Sequence, residues 1–83
     1  MALTKDILID LIDELSGSGL PAEVLAEHSE LLSGGVIDSM ALLSVVEKLE
    51  NALGRNVPPG DITMENFNSV GAILALQSRL LAA

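Results

Sequence analysis

With Phe67 as the only aromatic residue among 83, this chain has to build any core from Leu, Ile, Val, Ala and Met. Side chains of that kind pack well as stripes on helices, whereas β-sandwiches draw on Tyr, Trp and Val for their facing strands. An all-α fold is therefore expected. A chain of this length buries enough surface for one core and not for two, so a single domain over residues 1–83 is expected.

The apolar residues fall at helical spacing. From Thr4 to Leu15, Ile7, Leu8, Leu11, Ile12 and Leu15 share one arc, with Asp6, Asp10, Asp13 and Glu14 opposite. Ser16-Gly17-Ser18-Gly19 and Pro21 end that helix and open a long loop reaching about Ile37. Val24, Leu25, Leu31, Leu32, Val36 and Ile37 are available to pin this loop to the core, with a short helical turn near Pro21 to Ala26. A second long helix is expected from Ser39 to Leu53, capped by Asp38 and stopped by Gly54. Leu42, Leu43, Val45, Val46, Leu49, Ala52 and Leu53 form its buried arc, and Met40, Ser44, Glu47 and Asn51 a stripe on the far side. Pro58-Pro59-Gly60 breaks the chain before a single turn over Thr63 to Phe67, where Phe67 plugs the core. Ser69 caps a last helix whose Val70, Ile73, Leu74, Leu76, Leu80 and Leu81 line one face, with Gln77 edge-buried or bonded to a loop carbonyl. The expected architecture is a four-helix bundle of three long helices and a short third one, with a long loop between the first two.

Charge and side-chain chemistry narrow the function. Twelve acidic residues against four basic ones give a net charge of -8, which repels nucleic acid and anionic lipid and suits partners with basic surfaces. There is no cysteine and one histidine, His28, so disulfides and thiolate metal sites are excluded and no metal site is expected. Glu23, Glu27, His28 and Glu30 read as a solvated loop surface. No apolar run approaches the ~20 residues of a membrane span, and the acid in MALTKDILID does not suit a signal peptide, so a cytoplasmic protein is expected. No nucleophile, base and orienting group can be assembled from these residues, which counts against an enzyme.

One position invites chemistry. A serine at the first position of a helix has its hydroxyl beside backbone N–H groups that lack intrahelical acceptors, a setting that favours a phosphate ester. Ser39 is such a serine, and Asp38 beside it has the carboxylate to help hold Mg2+ during transfer of a phosphorylated group. An Asp-Ser pair taken alone far more often marks the start of a helix and nothing more.

The wider string Leu31-Leu32-Ser33-Gly34-Gly35-Val36-Ile37-Asp38-Ser39-Met40 resembles the attachment motif of the acyl and peptidyl carrier protein family. That motif is an apolar residue, Asp, Ser, then Leu or Met, which Ile37, Asp38, Ser39 and Met40 match. The resemblance extends over nearly the whole chain through the long first loop, the short third helix and the amphipathic last helix. It implies that Ser39 receives 4'-phosphopantetheine from a phosphopantetheinyl transferase using coenzyme A and magnesium, with Asp38 in support. The arm's thiol would then hold an acyl or aminoacyl group as a thioester. Carriers of this family dock through the second helix, which implies contacts at Met40, Ser44 and Glu47 with the transferase, with an adenylate-forming ligase or acyl or aminoacyl transferase, and with downstream biosynthetic enzymes. A monomer is expected. Fatty-acid carriers usually place acids soon after the serine, where this chain has Ala41 and Ser44, followed by Lys48. The segment Asp61 to Phe67 looks like the third-helix region of stand-alone carriers served by amino-acid ligases, so aminoacyl or peptidyl cargo is expected over fatty-acyl, with polyketide cargo left open. A groove near Val45, Leu49 and Ile73 is the expected place for any acyl chain to enter. The alternative from another class is an unmodified acidic helical interaction module, for which Ser39 would be dispensable.

Overall fold

The computed structural model describes residues 2–82. Five α-helices, α1 (Lys5–Ser16), α2 (Ala22–Glu27), α3 (Ser39–Leu53), α4 (Met64–Phe67) and α5 (Val70–Ala82), and a 3-10 turn over Pro59–Asp61 make up its regular structure, with no strand among the described residues. The three long helices lie where the apolar periodicity puts them. Thr4 caps α1 by accepting from the Ile7 N–H, and the helix ends at Gly17, whose N–H reaches the Asp13 carbonyl. The short helix α2 converts part of the expected long loop into a turn begun by Pro21, so the bundle gains a fifth helix. The second long helix of the sequence reading is accordingly α3. No helix among the described residues is long and apolar enough to cross a membrane.

α1 packs against α2, α3 and α5, and α4 sits on α5. A radius of gyration of 11.6 Å agrees with the ~12 Å of a compact globule of this length. Phe67 is fully buried among Leu8, Ile12, Leu25, Leu31, Ile37, Val45, Leu49, Ile73 and Leu76, so the one aromatic ring sits in the aliphatic core as expected.

Four residues assigned to buried positions instead face outward: Ile7, Val24, Leu43 and Leu81. Around α3, Ala41, Val45, Val46 and Leu49 form the buried face, and Leu43 stands ~200° from Ala41 at 100° per residue. On α1, Ile9 is buried where Ile7 is not, and of the expected pair Val24 and Leu25 on α2 only Leu25 is buried. Gln77 is buried within the apolar arc of α5, where its amide accepts from the Leu3 N–H at 2.8 Å and donates to the Leu3 carbonyl at 2.9 Å. The partner is the segment before α1, not the loop. Both of the amide's polar atoms are paired, which removes the cost of burying them.

Candidate functional site

The segment leading into α3 is held by its own backbone and by the α4–α5 junction. Leu31 and Ile37 are buried and joined by the Ile37 N–H donating to the Leu31 carbonyl at 2.9 Å. Between them the chain turns tightly enough that two glycines are needed. A Cβ on Gly34 would lie 2.5 Å from the Glu30 carbonyl oxygen, which accepts from the Gly34 N–H. Gly35 has φ +79°, a left-handed conformation that costs an L-residue about 1–2 kcal/mol. With Ile37 fixed in the core, Asp38 is extended at φ -99° and the chain enters α3 at Ser39.

Asp38 caps α3 as the sequence suggests, its Oδ1 accepting from the Ala41 N–H at 2.8 Å. Ser39 is exposed at the first helical position. Of the early α3 amides, Ala41 bonds to the cap side chain and Leu42 to the Asp38 carbonyl. Those of Ser39 and Met40 have no acceptor within the helix by its geometry, and they sit beside the Ser39 hydroxyl at the positive end of a fifteen-residue dipole. An exposed hydroxyl next to such donors fits a phosphodiester.

The three expected docking residues separate into two settings. Met40 is 73% exposed and Leu43, one turn further on, 59%, so the apolar surface beside Ser39 is larger than the sequence reading allowed. Ser44 is half-buried, its hydroxyl donating to the Met40 carbonyl at 3.4 Å, and Glu47 is exposed. Ser44 and Glu47 line a groove of about 340 Å3 between α1 and α3, together with Leu11, Glu14, Leu15, Lys48 and Asn51. Val45, Leu49 and Ile73, where an acyl groove was expected, are fully buried in packed core. His28 accepts at Nδ1 from the Glu30 N–H, and with Val24, Glu27, Ser29 and Glu30 lines an open surface hollow.

Sequence reasoning missed Asn68. Its Oδ1 accepts from the Leu32 and Ser33 N–H groups at 2.9 and 3.0 Å, its Nδ2 donates to the Ser33 hydroxyl at 3.1 Å, and its carbonyl accepts from the Leu31 N–H at 2.8 Å. Asparagine's tendency to bond backbone amides was the available signal. The partners, thirty-five and more residues away in sequence, were not legible.

The family model for a phosphopantetheine attachment site matches residues 6–76. The D-alanyl carrier proteins of Lactococcus lactis subsp. cremoris, strains MG1363 and SK11, and of Lactococcus lactis subsp. lactis, strain IL1403, are each 30% identical to this chain over 71 residues, 86% of this chain and 87% of theirs. No solved structure matches it significantly. Proteins of this family bear covalent 4'-phosphopantetheine, work with a phosphopantetheinyl transferase and biosynthetic enzymes, and leave catalysis to those enzymes. An all-helical globule that presents an exposed serine at a helix start, matched over most of its length, belongs to the phosphopantetheine-dependent carrier proteins and tethers acyl or aminoacyl groups for partner enzymes.

Proposed function

We propose that Ser39 is the attachment residue and that the arm carries a small aminoacyl group, D-alanine being the first candidate. The observation that carries the site is the exposed Ser39 hydroxyl at the N-terminus of α3, directly after the Asp38 cap. In the transfer, the Ser39 Oγ attacks the phosphorus of coenzyme A that bears the pantetheine. An Oγ–P bond forms, the pyrophosphate P–O bond breaks, 3',5'-ADP departs, and the serine proton passes to the transferase or solvent. Asp38 keeps α3 wound up to its first residue, so the hydroxyl is displayed at a fixed point, and its carboxylate is available to the transferase's Mg2+. Once attached, the arm supplies a thiol that holds the cargo as a thioester.

Two observations favour small cargo. Val45, Leu49 and Ile73 are closed to solvent, so a long acyl chain would have to part a packed core to find shelter. The relatives matched over most of this chain are D-alanyl carriers. On this reading an adenylate-forming ligase loads the thiol from an aminoacyl adenylate, and Met40, Ser44 and Glu47 meet partner enzymes along α3. The chain acts as one domain over residues 1–83, as a monomer, in the cytoplasm where coenzyme A and ATP are supplied.

The test is intact-protein mass spectrometry after incubation with a broad-specificity transferase, coenzyme A and magnesium, beside Ser39→Ala. One added phosphopantetheine in the wild type and none in Ser39→Ala is the expected result; modification of Ser39→Ala would remove the site assignment. The holo protein is then offered D-alanine or long-chain fatty acids with matching ligases and ATP. Loading by fatty acids alone would overturn the aminoacyl reading.

A further inference from the structure

Ser39 is displayed by a loop, and that loop is tied to a distant part of the chain by one residue, through its side chain and its backbone carbonyl. The amide of Asn68, between α4 and α5, makes three of the bonds to Leu32 and Ser33, and the Asn68 carbonyl holds Leu31. The Leu31 carbonyl in turn takes the Ile37 N–H, the residue before the Asp38 cap. Leu31 is anchored in the core, but Ser33 is exposed and Leu32 only half-buried, so the Leu32–Ser33 part of the loop has little apolar burial of its own to keep it in place. Two backbone bonds therefore run from the Asn68 carbonyl through Leu31 to Ile37 and the turn into α3, while the Asn68 side chain holds the adjoining Leu32 and Ser33.

Resting on the assignment of Ser39 as the attachment residue, we infer that Asn68 is a positioning residue for that modification: it latches the Leu31–Ser33 stretch so that Asp38 and Ser39 are presented to the transferase in one conformation. Where the loop samples several arrangements, the apparent affinity falls by the fraction that is competent. The chemical step, made only from the bound and correctly seated turn, is left nearly unchanged. Loss of the latch is therefore read in KM for the apo carrier and not in kcat.

The experiment measures transferase kinetics on the full-length apo carrier together with amide hydrogen exchange. Asn68→Ala removes three bonds; Asn68→Asp keeps the acceptor for both amides and loses only the donor to Ser33. For Asn68→Ala, exchange at Leu32 and Ser33 is expected to accelerate about tenfold and KM to rise about three- to tenfold, with kcat within about twofold, while Ile37, held by backbone bonds the substitution keeps, accelerates less. Asn68→Asp is expected to recover most of the KM. If Asn68→Ala does not fold, Asn68→Ser, too short to reach both amides, is read in its place. A KM equal to wild type with faster loop exchange would show that presentation does not depend on the latch. Unchanged exchange would show that the latch holds nothing. Either result overturns the inference while leaving Ser39 in place, whereas modification of Ser39→Ala strikes the site assignment and not the latch.

Discussion

Asp38 has two duties that substitution can separate. Its side chain accepts from the Ala41 N–H at 2.8 Å and so satisfies one of the amides at the start of α3; its charge faces the positive end of the helix and, on the proposed reading, the transferase's magnesium. Replacing such a cap by Ala costs about 1 kcal/mol. Unfolding of 83 residues at about 2.1 cal/mol/K per residue gives an entropy near 174 cal/mol/K, so 1 kcal/mol lowers Tm by about 6 °C. Asn caps nearly as well as Asp and forfeits only the charge–dipole attraction of a few tenths of a kcal/mol, or about 2–3 °C. Thermal unfolding followed by far-UV circular dichroism should therefore rank wild type, Asp38→Asn and Asp38→Ala in that order. Transferase assays should separate them differently, with both variants impaired because both lack the carboxylate. A Tm for Asp38→Ala within about 1 °C of wild type would refute the capping argument. Full transfer activity in Asp38→Asn would refute the carboxylate's part in the reaction.

Phe67→Ala empties the centre of the core, a change that costs about 3–5 kcal/mol, and is expected to lower the urea midpoint severely or prevent folding; a midpoint close to wild type would mean the ring is not the plug its burial indicates. Leu43→Ser should leave stability within about 0.5 kcal/mol, since the side chain is mostly exposed, yet raise KM with the transferase or ligase, as should Met40→Ala. A loss of several kcal/mol in Leu43→Ser would return that residue to the buried arc.

The parts of this molecule that depend on residues near one another in sequence were legible without coordinates. Thr4, Asp38, Thr63 and Ser69 each accept from an amide three residues on, so the starts of α1, α3, α4 and α5 follow from local chemistry, as does the placement of Ser39 as the first residue of α3. The carrier assignment rested on a continuous string around Ser39. Apolar arcs were legible only to within about one residue, because periodicity ranks which side of a helix is greasy without saying how wide a contact its neighbours provide. Ile7 and Leu43 were therefore assigned inward and lie outward.

What periodicity cannot contain is the pairing of groups far apart along the chain. Gln77 takes both polar groups of Leu3, and Asn68 takes the amides of Leu32 and Ser33, across 74, 36 and 35 residues. A polar side chain in an apolar arc announces that it needs a partner, because burial without one is costly, but not which backbone will supply it. By itself the sequence determined the three long helices, the caps Asp38 and Ser69 and the serine at the head of α3, since each arises from a few adjacent residues meeting the same backbone geometry. Only the tertiary structure decided how wide a face each helix buries and how the loop before Ser39 is held, because both depend on which surfaces meet when the chain closes on itself.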